Sequence, residues 1–177
     1  MDIESSVLLA QDRCRRIRRQ PVSRKPHLRT SGPRRSPSTR ARECDAAALV
    51  GRSRPDCRIV AVEPDVADCL RASLAAGAPT TVATGKTSMA GLNCGTPSHL
   101  AWPVLERGLT GAVVVDDAAA ADAVVDLTAL GVDSGPCGAA SLAALRVLAT
   151  EPARSRLGLC PDSSVVLLNT EGADAAG

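Results

Sequence analysis

Several short stretches of this chain carry residue types from which chemistry could be built. Gly85-Lys86-Thr87 matches the end of a phosphate-binding loop, in which backbone amides wrap a phosphate and the lysine reaches its oxygens. Such a loop needs a glycine five positions ahead of Gly85 and a strand leading into it; position 80 is Thr80, and the preceding residues read as helix and loop. Gly131-Val132-Asp133-Ser134-Gly135 sets its serine one residue late for the strained turn that exposes a nucleophile. The histidines are His27, in an Arg/Pro-rich region, and His99, a poor supply of bases for a triad. No Cys-x-x-Cys or His-x-x-x-His pair offers closely spaced metal ligands. Cys94, Cys137 and Cys160 stand near glycines or loop boundaries, and a thiol becomes nucleophilic when a cation or helix N-terminus lowers its pKa. Cys137, just ahead of a helix expected from Ala139, alone has that setting. The expectation for all three is a small buried or half-buried side chain.

The elements that would position these residues occupy only part of the chain. Residues 1–58 hold 15 basic and 6 acidic side chains, whereas 59–177 hold 6 and 13, so a net charge of +2 conceals segments of +9 and −7. The first segment carries Arg13-Cys14-Arg15-Arg16-Ile17-Arg18-Arg19, then Pro21, Pro26, Pro33 and Pro37. Each proline removes a backbone donor and discourages helix before it. Residues 1–50 are accordingly expected to be a disordered basic arm, unrelated to the fold. Such an arm could neutralise nucleic-acid phosphates without sequence preference, but no aromatic residue interleaves the arginines to stack on bases. A solvated tail is therefore preferred to a nucleic-acid partner.

No run approaches the roughly 18 apolar residues of a membrane span, and Val7 to Ala10 is too short for a secretory signal. A cytoplasmic protein without a membrane partner is expected. The seven cysteines, an odd number, are expected to be reduced thiols. Trp102 is the one aromatic residue, so the core must come from Ala, Val and Leu.

After Pro55 the pattern becomes that of a layered α/β fold. Arg58 to Glu63 reads as a buried strand, and Pro64-Asp65 opens a helical stretch through Ala76 with Gly77 as its stop. A loop from Gly77 to Ser98 leads to a short helix at Leu100 to Arg107 and a second strand at Gly111 to Val115. Asp116-Asp117 begins an alanine-rich helix ending at Gly131, with its acids at the positive end of the helix dipole. A helix from Ala139 to Ala149 and a strand from Val165 to Leu168 complete the order. Strands alternating with helices imply a mostly parallel sheet. Three strands of small side chains would be part of a larger sheet, with an edge that favours self-association.

Four ordered stretches carry a resemblance. They are Arg58-Ile59-Val60-Ala61-Val62-Glu63-Pro64-Asp65, Ser88-Met89-Ala90-Gly91-Leu92-Asn93-Cys94-Gly95-Thr96-Pro97-Ser98, Gly135-Pro136-Cys137-Gly138-Ala139-Ala140-Ser141-Leu142-Ala143-Ala144-Leu145, and Leu168-Asn169-Thr170-Glu171-Gly172-Ala173. From about residue 51 onward the chain resembles the C-terminal portion of the diaminopropionate ammonia-lyase family, pyridoxal-phosphate enzymes of tryptophan-synthase-β-like fold (fold type II). The resemblance implies a partial three-layer parallel sheet across residues 51–177. It also implies a pyridoxal 5'-phosphate cofactor and a small amino-acid substrate, 2,3-diaminopropionate, converted to pyruvate and ammonia. The cofactor would drain electrons from the substrate α-carbon while the protein orients it. By the same resemblance Met89, Ala90 and Gly91 lie beside the cofactor ring, Cys137 and Gly138 line that face, and Thr170 sits near the pyridine nitrogen. The family's Schiff-base lysine and phosphate-binding glycine loop have no match here, because Lys25 and Lys86 are the only lysines and neither lies in the family's lysine motif. An incomplete lyase, inactive alone, is expected, with no catalytic residue assigned; the alternative is a non-catalytic α/β binding module with an Arg-rich nucleic-acid-binding arm.

Overall fold

The computed structural model describes residues 6–11, 57–169 and 171–172. In chain order these form strands β1 (Ser6–Gln11) and β2 (Cys57–Pro64), helix α1 (Cys69–Ala76), a 3-10 turn (Ala90–Leu92) and helix α2 (Trp102–Gly108). Strand β3 (Gly111–Val115), helices α3 (Asp117–Ala129), α4 (Pro136–Leu148) and α5 (Ala153–Leu157), and strand β4 (Ser164–Leu167) follow. No described helix is long and apolar enough to cross a membrane.

The strands form one sheet in the order β3-β2-β1-β4. Strands β2 and β3 are parallel, with Val62 opposite Val113. Helices cover both faces of β2, which is why six consecutive residues of it are buried and why Ile59 to Val62 are apolar without alternation. Ile59 and Ala61 face Cys69 and Leu70 of α1 with Ala101 and Leu105 at α2. Val62 faces the other layer, where Ala120 and Ala123 of α3 meet Ala139, Ala140, Ala143 and Ala144 of α4. Val60 joins Leu148 and Leu157 on that side. The result is the α/β three-layer arrangement expected. Alanines on the facing sides of α3 and α4 let two helices approach closely enough to exclude water without aromatic side chains, and Trp102 is the one aromatic ring buried among the described residues.

Several expectations change. Ser6–Gln11 lies within the segment read as an unstructured arm, yet its backbone pairs antiparallel with both β2 and β4. The sheet is therefore mixed, with a fourth strand between two of those expected. The short run Val7-Leu8-Leu9-Ala10 is of the length and apolar character that a strand between two others requires. The rest of the expected arm, residues 12–50, lies outside the described residues, as does His27.

The helix expected from Pro64 starts instead at Cys69, because Pro64 is the last residue of β2. Its N-terminus has no side-chain cap from the preceding residue Asp68. The Glu63 carboxylate takes that role from the strand, accepting the N–H groups of Leu70 at 2.7 Å and Arg71 at 2.9 Å. Gly77 ends α1 at φ 69°, a left-handed conformation that glycine enters without strain. Helix α4 begins three residues earlier than expected, at Pro136, with Gly135 at the cap position. The short α5 has no counterpart in the expected order.

Candidate functional site

Asp65 N–H donates to the Val115 carbonyl at 3.0 Å, joining the carboxyl ends of the parallel strands β2 and β3. Ligands of open α/β sheets bind beyond such ends, and three of the four resembling stretches converge in this region.

The loop before the 3-10 turn is fixed to the start of α3. Asp117, the first residue of that helix, accepts from Thr87 Oγ1 at 2.5 Å, from Ser88 N–H at 3.0 Å and from Ser88 Oγ at 3.0 Å. The Thr87 hydroxyl, foremost among these donors, holds the Asp117 carboxyl below its usual range. Asp116 caps α3 independently, accepting from Ala119 N–H at 2.7 Å. Met89, next in the chain, is fully buried among Val62, Leu92, Val115 and the alanines of α3 and α4. The Met89 side chain is thus an anchor in the core, while Ala90 is exposed and Gly91 half-buried above it.

The turn then meets α4. Gly91 and Leu92 lie close enough for their backbone amides to favour the Cys137 thiolate, while the Glu171 carboxylate opposes it. Burial, the largest influence, together with the Glu171 charge, outweighs those two amides and pushes the Cys137 thiol up to about 11. Cys137 is therefore a protonated thiol at neutral pH, and its place at a helix start does not make it nucleophilic.

The chain's closing stretch packs over the same helix end. Cys137 N–H donates to Glu171 Oε2 at 2.7 Å, and Gly135 N–H donates to the Glu171 carbonyl at 3.2 Å. Ser134, buried, donates its hydroxyl toward Gly135 O at 3.1 Å and Asn169 Oδ1 at 3.2 Å, while Asn169 Nδ2 donates to Asp133 O at 2.8 Å. Gly138 lies beneath Asn169. A Cβ there would collide with the Asn169 side chain and come within 2.7 Å of Ser134 Oγ, so only glycine admits this closure.

Of the predicted site residues, Gly91, Cys137 and Gly138 are brought to one cluster. Met89 supports it from the core, Ala90 is exposed, and Thr170 lies outside the described residues. Sequence reasoning does not single out Asn169, Glu171 or Asp117 for the site. The first two stand in the same resembling stretch as Thr170, a signal that is present; Asp117 is marked only by its place at a helix start, and nothing in the sequence pairs it with Thr87 and Ser88. Gly85-Lys86-Thr87 forms no phosphate loop, since no strand leads into it and Thr87 is engaged by Asp117. His99, Lys86 and Cys160 are exposed. Cys94 is half-buried, donating from its sulfur to Thr96 O at 3.1 Å. No disulfide joins the described cysteines, and no group of three potential ligands among the described residues could hold a metal ion.

Comparison with known proteins finds relatives over the same part of the chain. Diaminopropionate ammonia-lyase of Escherichia coli (strain K12) is 33% identical over 64% of this chain and 31% of its own length. The chain thus spans about a third of the length of the curated relatives it matches. The crystal structure of diaminopropionate ammonia lyase from Escherichia coli in complex with D-serine aligns with TM-score 0.55 at 30% identity, covering 64% of this chain and 30% of that one. The crystal structure of a threonine deaminase from T.th. aligns with TM-score 0.54 at 26% identity, covering 60% of this chain and 39% of that one. The family model described as pyridoxal-phosphate dependent enzyme matches residues 46–171, a span that contains every resembling stretch through Glu171, and on that match the chain belongs to the pyridoxal-phosphate dependent enzymes.

Proposed function

We propose that this chain is an incomplete ammonia-lyase of the diaminopropionate type, carrying one wall of a pyridoxal 5'-phosphate site and inactive alone. The observation that supports the wall is the meeting of Gly91, Cys137 and Gly138 at the start of α4, where the closing stretch lays the Asn169 and Glu171 side chains over the helix end. The donor set does not fit the whole cofactor. A lyase of this type needs an amine to hold the cofactor covalently, and the chain's lysines are Lys25 and Lys86. Lys86 is exposed on the loop that Asp117 holds, and Lys25 lies outside the described residues. The N–H of Cys137 at the front of α4 is already taken by Glu171. No catalytic step is therefore assigned to a residue of this chain. Its residues would orient a ring placed against the wall, with Thr170 near the ring nitrogen, and would keep a small amino-acid substrate on the open side. A cytoplasmic, self-associating protein is part of the same reading, the edge of the mixed sheet at β4 being a pairing surface.

Titration of the full chain with pyridoxal 5'-phosphate, followed by absorbance, tests the reading, with Lys86→Ala as control. The expected result is no lysine-dependent band and no pyruvate from 2,3-diaminopropionate. A band that is present in the natural sequence and absent from Lys86→Ala, or pyruvate release, would overturn the claim of inactivity. Salt-sensitive binding to any polyanion with no cofactor response would favour the alternative of a binding module with a basic arm.

A further inference from the structure

We propose that Asp117 is the positioning residue of this wall: its carboxylate holds the Met89–Leu92 segment against Cys137. The inference rests on the wall reading only in naming what the segment faces.

Three donors from two consecutive residues, Thr87 Oγ1, Ser88 N–H and Ser88 Oγ, end on one carboxylate, and the next residue, Met89, is fully buried. The entry to the 3-10 turn is thus fixed at two adjacent points, one electrostatic and one apolar. Beyond it, Leu92 N–H closes on the Met89 carbonyl at 2.9 Å, and Met89 and Leu92 share one buried cluster with Cys137. A shift in the entry is carried through this short turn to the face over Cys137, because few rotatable bonds lie between. Asp117 is not needed to start its own helix, since Asp116 already caps α3 through Ala119 N–H. The neighbouring acids therefore divide the work: Asp116 caps the start of the helix and Asp117 holds the loop.

The test uses the full chain and the rate at which a small maleimide alkylates Cys137, read by mass spectrometry of the Cys137 peptide at one fixed pH. Loss of hydrogen bonds to a charged acceptor is expected to raise that rate about three- to tenfold in Asp117→Ala, a range reduced for the exposure of the carboxylate. Asp117→Asn, which keeps an acceptor oxygen, should return part of the protection. Asp116→Ala, which weakens the start of α3 without touching the loop, should leave the rate near that of the natural sequence. Equal rates for Asp117→Ala and the natural sequence, or the same rise in Asp116→Ala, would overturn the proposal. Addition of pyridoxal 5'-phosphate separates the two readings. Protection of Cys137 that is lost in Asp117→Ala supports both, whereas faster labelling in Asp117→Ala with no cofactor protection in any form supports the positioning role and removes the cofactor wall.

Discussion

Glu171 and Cys137, 34 residues apart in the chain, are joined by a 2.7 Å hydrogen bond from the Cys137 backbone N–H to Glu171 Oε2. A carboxylate at this place satisfies an N–H that has no partner within the helix and sits at the positive end of the dipole of α4. It also puts a negative charge beside a buried thiol.

Glu171→Gln should therefore lower the Cys137 thiol from about 11, since removal of the negative charge favours the thiolate. Alkylation of Cys137 measured against pH should show an earlier rise in the variant. The lost charged cap should also cost about 1 kcal/mol in urea unfolding.

Gly138→Ala should be destabilising even though alanine is the better helix former. The added methyl would be driven into Asn169 and Ser134, and overpacking of this kind costs about 1–3 kcal/mol. The double variant Gly138→Ala with Asn169→Gly should regain part of the loss, as measured by thermal unfolding.

Met89→Ala removes a fully buried side chain from the cluster that joins β2, β3, α3 and α4. Truncations of this type cost about 2–5 kcal/mol. Hydrogen exchange should then show faster opening of residues 87–92 than of α1, which packs on the opposite face of β2.

Glu63 supplies a pH dependence of defined sign. Burial raises its pKa above the ordinary 4.5, against the opposing hydrogen bonds from Leu70 and Arg71. The folded state thus binds more protons than the unfolded state as pH rises from 4.5 through the raised folded value. The contribution of Glu63 is fully present below 4.5 and is lost across that window. Urea unfolding of the natural sequence and Glu63→Gln at several pH values should show their stability difference moving against the natural sequence as pH rises, and levelling above the folded pKa.

Much of the architecture is determined by sequence alone, because it depends on local composition. The unbroken apolar run at Ile59 to Val62 specifies a strand covered on both faces, glycine at position 77 ends a helix in a conformation other residues resist, and the alanines of residues 139–144 specify a helix that packs closely. The four ordered stretches likewise identify the family before any coordinate is known. What only the tertiary structure decides are relationships between residues distant in the chain. The cap of α1 comes from Glu63 on a strand, the cap of α4 from Glu171, and the anchor of the loop from Asp117, 29 residues after Ser88. None of these has a local signal, since a carboxylate in sequence carries no mark of the amide it will meet. The same holds for β1, whose Val7-Leu8-Leu9-Ala10 is too short to stand out beside an arginine-rich segment and becomes a strand only where β2 and β4 present backbone groups on either side of it.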